Sequence, residues 1–280
     1  DGIDDFVVAG TRGTHAKAFV VYGQEENSDD INLGDFTPAQ GFTITGTPDF
    51  DSSGFVVARA GDVNGDGFDD IILGDSSARQ PGRHYSGESY VIYGNDTGHT
   101  DIDLSNLQAS QGFRIIGATE YDFSGASVSS AGDINGDGFD DILIGAASAN
   151  PSGRSDAGAA YLIFGRETPV DVDLRHLTTE EGFAIAGDAV ADFAGGRVSA
   201  AGDLNHDGYD DLLVGVPGAD AGGNANAGQA FVIYGRDFAN APLVLADLLE
   251  DGPASQHGSV DQVTLYPGAP QVPLPEMDTA

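Results

Sequence analysis

The sequence has no cysteine, no tryptophan and one methionine, and only 11 lysines and arginines stand against 45 aspartates and glutamates. Without cysteine there are no disulfides, so the chain must be held by its core or by bound metal, although this does not choose a compartment. The shortage of basic residues leaves a net charge of -34. That charge argues against nucleic acid, because phosphate binding draws its affinity from clustered Lys and Arg. It disfavours anionic membrane surfaces for the same reason. No apolar run approaches the roughly 20 residues of a membrane span, so no membrane insertion is expected. No signal peptide is visible, and the opening on Asp1 rather than Met reads as that of a processed or excised piece. G-x-S-x-G, cysteine-nucleophile and Walker-type signatures are all missing. The six histidines, His15, His84, His99, His176, His206 and His257, share no repeat position, and an enzyme is not expected.

Glycine is abundant, at 41 of 280 residues, and without collagen periodicity this favours tight turns between short strands. Self-comparison reveals one pattern three times: GDVNGDGFDDIILG from Gly61, GDINGDGFDDILIG from Gly132 and GDLNHDGYDDLLVG from Gly202. An aromatic segment follows each copy, ending at Gly94, Gly165 and Gly235, with an earlier copy ending at Gly23. Then come short linkers (INLGDF, IDLSNL, VDLRHL) and a strand-like GFTITG, GFRIIG or GFAIAG. A small-residue segment such as SGASVSSAG from Ser124 leads back into the acidic loop. Four β-rich runs bounded by glycine make one blade of a β-propeller. The continuous apolar runs at Ile71, Ile142 and Leu212 suit a central strand buried on both faces. The runs of Gly, Ala and Ser suit the crowded innermost strand. No segment sustains a 3.6-residue apolar period, so a helical repeat is excluded.

Each acidic loop carries oxygen-bearing side chains at its first, third, fifth and ninth positions: Asp62, Asn64, Asp66 and Asp70; Asp133, Asn135, Asp137 and Asp141; Asp203, Asn205, Asp207 and Asp211. Calcium takes six to eight hard oxygen ligands in flexible geometry, and oxygens at alternate positions of a tight loop can wrap one ion. The seventh-position carbonyls of Phe68, Phe139 and Tyr209 complete the expected set. An EF-hand is excluded, because its twelfth position must be a bidentate Glu and here it is Leu73, Ile144 or Val214. A metal-free Asx-turn is the plain alternative for any one loop. Three copies of converging oxygens favour Ca2+, with affinity on the order of 10⁻⁶ to 10⁻³ M. The eighth-position residues Asp69, Asp140 and Asp210 are expected to face solvent or hold a turn, and His206 to be a solvent-facing substitute for glycine.

The lead at Phe123 and Phe193, the loop G-D-x-N-G-D-G-x-x-D, and the corner beginning at Gly145 and Gly215 together resemble the FG-GAP repeats of integrin α subunits and of many bacterial secreted proteins. The resemblance covers about residues 1–240. It implies an all-β, seven-bladed propeller with calcium on its lower rim, a secreted or cell-surface setting, and adhesion to protein or carbohydrate. One corner departs from the pattern, being Gly74, Asp75 and Ser76, and no RGD-type motif is present.

About four blades of four antiparallel strands are expected, over 1–46, 54–117, 124–187 and 194–267, with 268–280 as a Pro-rich tail. DGIDDFVVAG at the N-terminus aligns with the second half of an acidic loop, so Asp1, Ile3 and Asp5 form one partial calcium site beside the three complete ones. LVLADLL from Leu243 resembles a linker, and VDQVTLYPG from Val260 a degenerate outer strand. Uncovered blades expose apolar faces and strand edges, so further blades or another chain are expected to complete the ring. A closed four-bladed ring is the alternative. The sequence thus reads as a calcium-binding extracellular recognition module. A structural subunit of an extracellular assembly and a part of a carbohydrate-active enzyme are the other readings. The loops 76–87, 149–158 and 217–228 differ between units and are the expected partner contacts.

Overall fold

A computed structural model describes residues 3–12, 15–24, 30–47, 55–220, 224–238 and 264–266. Asp1, the linker-like stretch 243–249 and the Pro-rich tail 268–280 lie outside the described residues.

The fold is all-β, built from blades of a β-propeller. The first blade comprises β1 (Phe6–Arg12), β2 (His15–Val21) and β3 (Gly41–Thr45). The second runs β4 (Val56–Gly61), β5 (Asp70–Asp75), β6 (Glu88–Ile92) and, after the short β7 (Ile102–Asp103), β8 (Gly112–Ile116). The third runs β9 (Ser127–Gly132), β10 (Asp141–Ala146), β11 (Ala159–Ile163) and, after β12 (Val172–Asp173), β13 (Gly182–Ala186). The fourth contains β14 (Arg197–Gly202), β15 (Asp211–Val216) and β16 (Gln229–Ile233). Within each blade, consecutive strands pair antiparallel from the inside outward.

In blades two and three the continuous apolar runs have the predicted cause, because there the central strand buries both faces against neighbouring blades. Ile72, Ile142 and Ile144 enter the core between blades two and three. Leu73 enters the core between blades one and two, and Leu143 the one between three and four. A strand that alternates sides while every side chain is buried must be apolar throughout. The inner strands are small-residued because they approach closely: the Ser127 hydroxyl accepts a hydrogen bond from the Val198 N–H at 3.1 Å, and Ser129 accepts from Ala200 at 3.3 Å.

Two of the three linkers add a strand to the preceding blade: β7 pairs parallel with β3, and β12 parallel with β8. The last strand, β17 (Thr264–Tyr266), forms where a degenerate strand was expected, but it pairs antiparallel with β13 of the third blade rather than with the fourth.

Candidate metal centres on the acidic rim

Each acidic loop joins the inner strand of a blade to its central strand, so the three loops lie at one end of the blades and the corner loops at the other. The loops fold through their own side chains. In the first, Asp62 accepts from the N–H groups of Asp66 (3.0 Å) and Gly67 (2.9 Å), Asn64 from Asp66 (2.9 Å), and Asp66 from Phe68 (3.0 Å). The second loop repeats these bonds with Asp133, Asn135 and Asp137, and the third with Asp203, Asn205 and Asp207. Side chains at alternate positions therefore turn inward on the loop, as the spacing requires.

The ninth position closes the loop. Asp70 accepts from the Val63 N–H at 3.0 Å and, across the blade, from the Gly94 N–H at 2.9 Å. Asp141 bonds likewise to Ile134 and Gly165, and Asp211 to Leu204 and Gly235. All three carboxylates are buried. At the N-terminus Asp5 accepts from the Gly23 N–H at 2.8 Å, the counterpart of the bond between Asp70 and Gly94, and this fixes the alignment of that partial loop. Ile3 is half-buried beside it.

Burial pushes the Asp70 carboxyl up to about 7, and the negative charges of Asp66 and Asp62 add to the shift. Burial and the carboxylates of Asp137 and Asp133 likewise hold Asp141 well above the usual range. Two backbone donors do not balance a buried carboxylate surrounded by others, and a cation at this point would. Among the described residues no group of three or more His, Asp or Glu side chains is gathered closely enough to hold a metal. The donors beyond the carboxylates are the Asn side chains and the carbonyls of Phe68, Phe139 and Tyr209. This set of hard oxygens suits calcium in kind.

Two of the eighth-position aspartates depart from expectation. Asp140 reaches back to the preceding blade and accepts from the Asp62 N–H at 2.8 Å, while its own N–H donates to the Asp62 carbonyl at 3.0 Å. Asp210 does the same to Asp133. Each loop is thus tied to the loop before it. Asp69 faces solvent as expected, in an exposed ion pair with Arg59 at 2.8 Å. The bridge explains a glycine: Gly132 sits at a bulge with φ 68°, and a Cβ there would lie 2.1 Å from the Asp210 carboxylate.

The seventh-position ring also lies on its neighbour. A Cβ on Gly65 would lie 2.5 Å from the Phe139 ring, and one on Gly136 equally close to Tyr209. The third loop carries His206 at this position, exposed and at φ 61°. Neither interlock was legible in one repeat read alone, because its partner lies in the neighbouring repeat, 78 residues away for Asp62 and Asp140 and 77 for Asp133 and Asp210. The signal available was the recurrence of Asp at the eighth position.

The fold and the rim define the class, a β-propeller built from repeated acidic-loop blades. The chain carries three FG-GAP repeats: the family model of that description matches residues 53–92, 124–163 and 194–233. The chain is 30% identical over 179 residues to the phosphatidylinositol-glycan-specific phospholipase D of Bos taurus, covering 64% of this chain and 20% of that protein. It is 27% identical to integrin alpha-5 of Xenopus laevis, over 79% of this chain and 19% of that protein. Against integrin alpha pat-2 of Caenorhabditis elegans it is 34% identical, over 67% of this chain and 14% of that protein. The chain therefore spans about a fifth or less of the length of these relatives.

Proposed function

We propose that the chain is a calcium-rigidified extracellular module that recognises a protein or carbohydrate partner and performs no catalysis of its own. The observation that carries the reading is the threefold recurrence of oxygen-bearing side chains at alternate positions of a loop that is closed by a buried ninth-position aspartate. Asp62, Asn64, Asp66 and Asp70, with the Phe68 carbonyl, would hold one ion, and the corresponding residues of the other two loops would hold theirs. The bound ion would supply charge neutralisation and would stiffen the loop. The bridges from Asp140 and Asp210 would then pass that stiffness from blade to blade. Sites of micromolar to millimolar affinity fill where calcium is abundant, which favours an extracellular or secreted setting.

Partner contact is assigned to the opposite rim, where the corner loops differ between blades. There Tyr85 stacks on Tyr121 (5.9 Å between centroids) and Phe123 (5.8 Å), and the Arg79 guanidinium covers the Tyr85 ring. Further blades, from this polypeptide or another, would complete the ring.

Melting in millimolar calcium and in excess chelator tests the proposal. An ion bound only by the folded chain raises the melting temperature by several degrees, because binding to the native state alone shifts the unfolding equilibrium. Superimposable melting curves would sink the calcium assignment. The similarity to a phospholipase D favours a second reading, in which the module forms part of a larger enzyme. Turnover of a polysaccharide or a glycolipid by the isolated chain would support that reading over a purely recognitive one.

A further inference from the structure

Asn-Gly occurs twice in the sequence, at Asn64-Gly65 and Asn135-Gly136, each time at the third and fourth positions of an acidic loop, and the third loop has Asn205-His206 there. The three asparagines are held alike. Asn64 Oδ1 accepts from the Asp66 N–H at 2.9 Å, and its Nδ2 donates to the Asp66 carboxylate at 2.9 Å. Asn135 makes the same two bonds to Asp137 at 2.8 and 2.9 Å, and Asn205 to Asp207 at 3.1 and 2.8 Å. A bond that reaches two residues ahead lays the side-chain carbonyl across the intervening peptide, and accepting an N–H polarises its carbon toward attack. The backbone after each asparagine is also alike, with φ 73° at Gly65, 75° at Gly136 and 61° at His206.

The loops differ in the residue whose main-chain nitrogen lies next to the amide. Glycine presents that nitrogen with no Cβ beside it, and both Gly65 and Gly136 are exposed to solvent. Among the described residues the Gly65 N–H has no acceptor, whereas the Gly136 N–H donates to the Asp133 carboxylate at 2.7 Å. A nitrogen that attacks must first give up its proton, and a short bond to a carboxylate holds that proton in place. His206 brings a Cβ and an imidazole to the same position, and both hinder the approach. The fold does not offer the first loop this protection, since a Cβ on Gly65 would lie 2.5 Å from the Phe139 ring. The contact between blades that demands a glycine therefore also creates the reactive pair.

We infer that Asn64 is a site of spontaneous deamidation, that Asn135 is a slower one, and that His206 protects Asn205. The Gly65 nitrogen loses its proton to solvent base and bonds to Asn64 Cγ. The Cγ–Nδ2 bond breaks and ammonia leaves, which closes a succinimide ring. Water then adds at one of the two ring carbonyls, and the ring opens to aspartate or to isoaspartate. Isoaspartate carries an extra methylene in the main chain, so the alternation of Asp62, residue 64 and Asp66 is broken and the bonds to Asp66 are lost. Either product adds a negative charge beside Asp62 and Asp66. The covalent step is independent of the calcium reading and of the contacts assigned to the opposite rim.

The test is prolonged incubation of the full chain in mildly alkaline buffer, with peptide mapping by mass spectrometry to follow the amide-to-acid change at each asparagine and chromatography to resolve isoaspartate. Conversion at Asn64 should exceed that at Asn135 severalfold and that at Asn205 by about tenfold or more. In denaturant, where the segments VNGDG and INGDG are nearly alike, Asn64 and Asn135 should convert at the same rate. His206→Gly should bring Asn205 to the level of the other loops, and because it relieves a side chain in the left-handed region it leaves the fold intact. An Asn64 that stays unconverted, or an Asn205 that converts as fast as Asn64 in the parent chain, overturns the inference. Equal rates at Asn64 and Asn135 in the folded chain, or a difference that persists in denaturant, overturn the ranking and the role given to the Gly136 bond.

Discussion

β11 and β16 occupy the same place in consecutive repeats and carry similar residues, AAYLI and QAFVI, yet their surroundings differ. Every residue of β11 is buried, whereas in β16 only Ile233 is. The central strands show the same contrast, with all six residues of β10 buried and two of six in β15 half-exposed. A blade's own sequence supplies one half of each core, and the neighbouring blade supplies the other. The third blade has described neighbours on both sides, and the fourth has one on a single side.

The largest expected effect breaks this contrast directly. Leu143, fully buried between blades three and four, is the counterpart of the half-buried Leu213. Leu143→Ala should cost about 2–5 kcal/mol in denaturant unfolding, the usual range for a buried leucine, and Leu213→Ala about half of that or less. Equal costs would show that blade four is covered as fully as blade three.

Glu88 sharpens the comparison at a buried polar position, which is Ala159 in blade three and Gln229 in blade four. Its carboxyl, cross-strand from Asp75 and bonded to Tyr90 and Gln80, is pushed by burial up to about 7 from an ordinary 4.5. Because the folded chain holds this proton more tightly than the unfolded one, stability falls as pH rises from about 4.5 through 7. Glu88→Gln should remove that slope, becoming more stable than the parent by at most about 3 kcal/mol above pH 8 and little different near pH 4. Parallel stability profiles over this window would contradict the assignment.

The smallest expected difference lies between two glycines. Gly132→Ala and Gly202→Ala each force a side chain into the left-handed region, at about 1–2 kcal/mol. Only the Gly132 substitution also displaces a carboxylate, that of Asp210. It should therefore cost about 1 kcal/mol more, equivalent to the lost bridge to Asp133. Calorimetric melting of both variants measures the gap, and its absence would mean that the bridge contributes nothing.

Much of the fold was legible because a blade is a local object. Strand, turn and acidic loop lie within about 70 residues and recur, so glycine spacing and apolar runs mark each unit. The loops' inward-turned side chains also followed from alternation at positions such as Asp62, Asn64 and Asp66. What escaped were the polar bridges and the strand additions that cross from one blade to the next. Asp140 reads as a residue that faces solvent or holds a turn, and Val172 as part of a short linker. Both act on the preceding repeat, and nothing in their own repeat marks the partner.

By itself the sequence determined the kind of unit, since periodic glycine, paired carboxylates and two-sided apolar strands admit one local folding solution. The tertiary structure alone decided which aspartates bridge loops, which linker joins which sheet edge, and how deeply each copy of the same strand is buried. Those outcomes depend on the surface presented by an adjacent blade, and chain order within one repeat does not encode that surface.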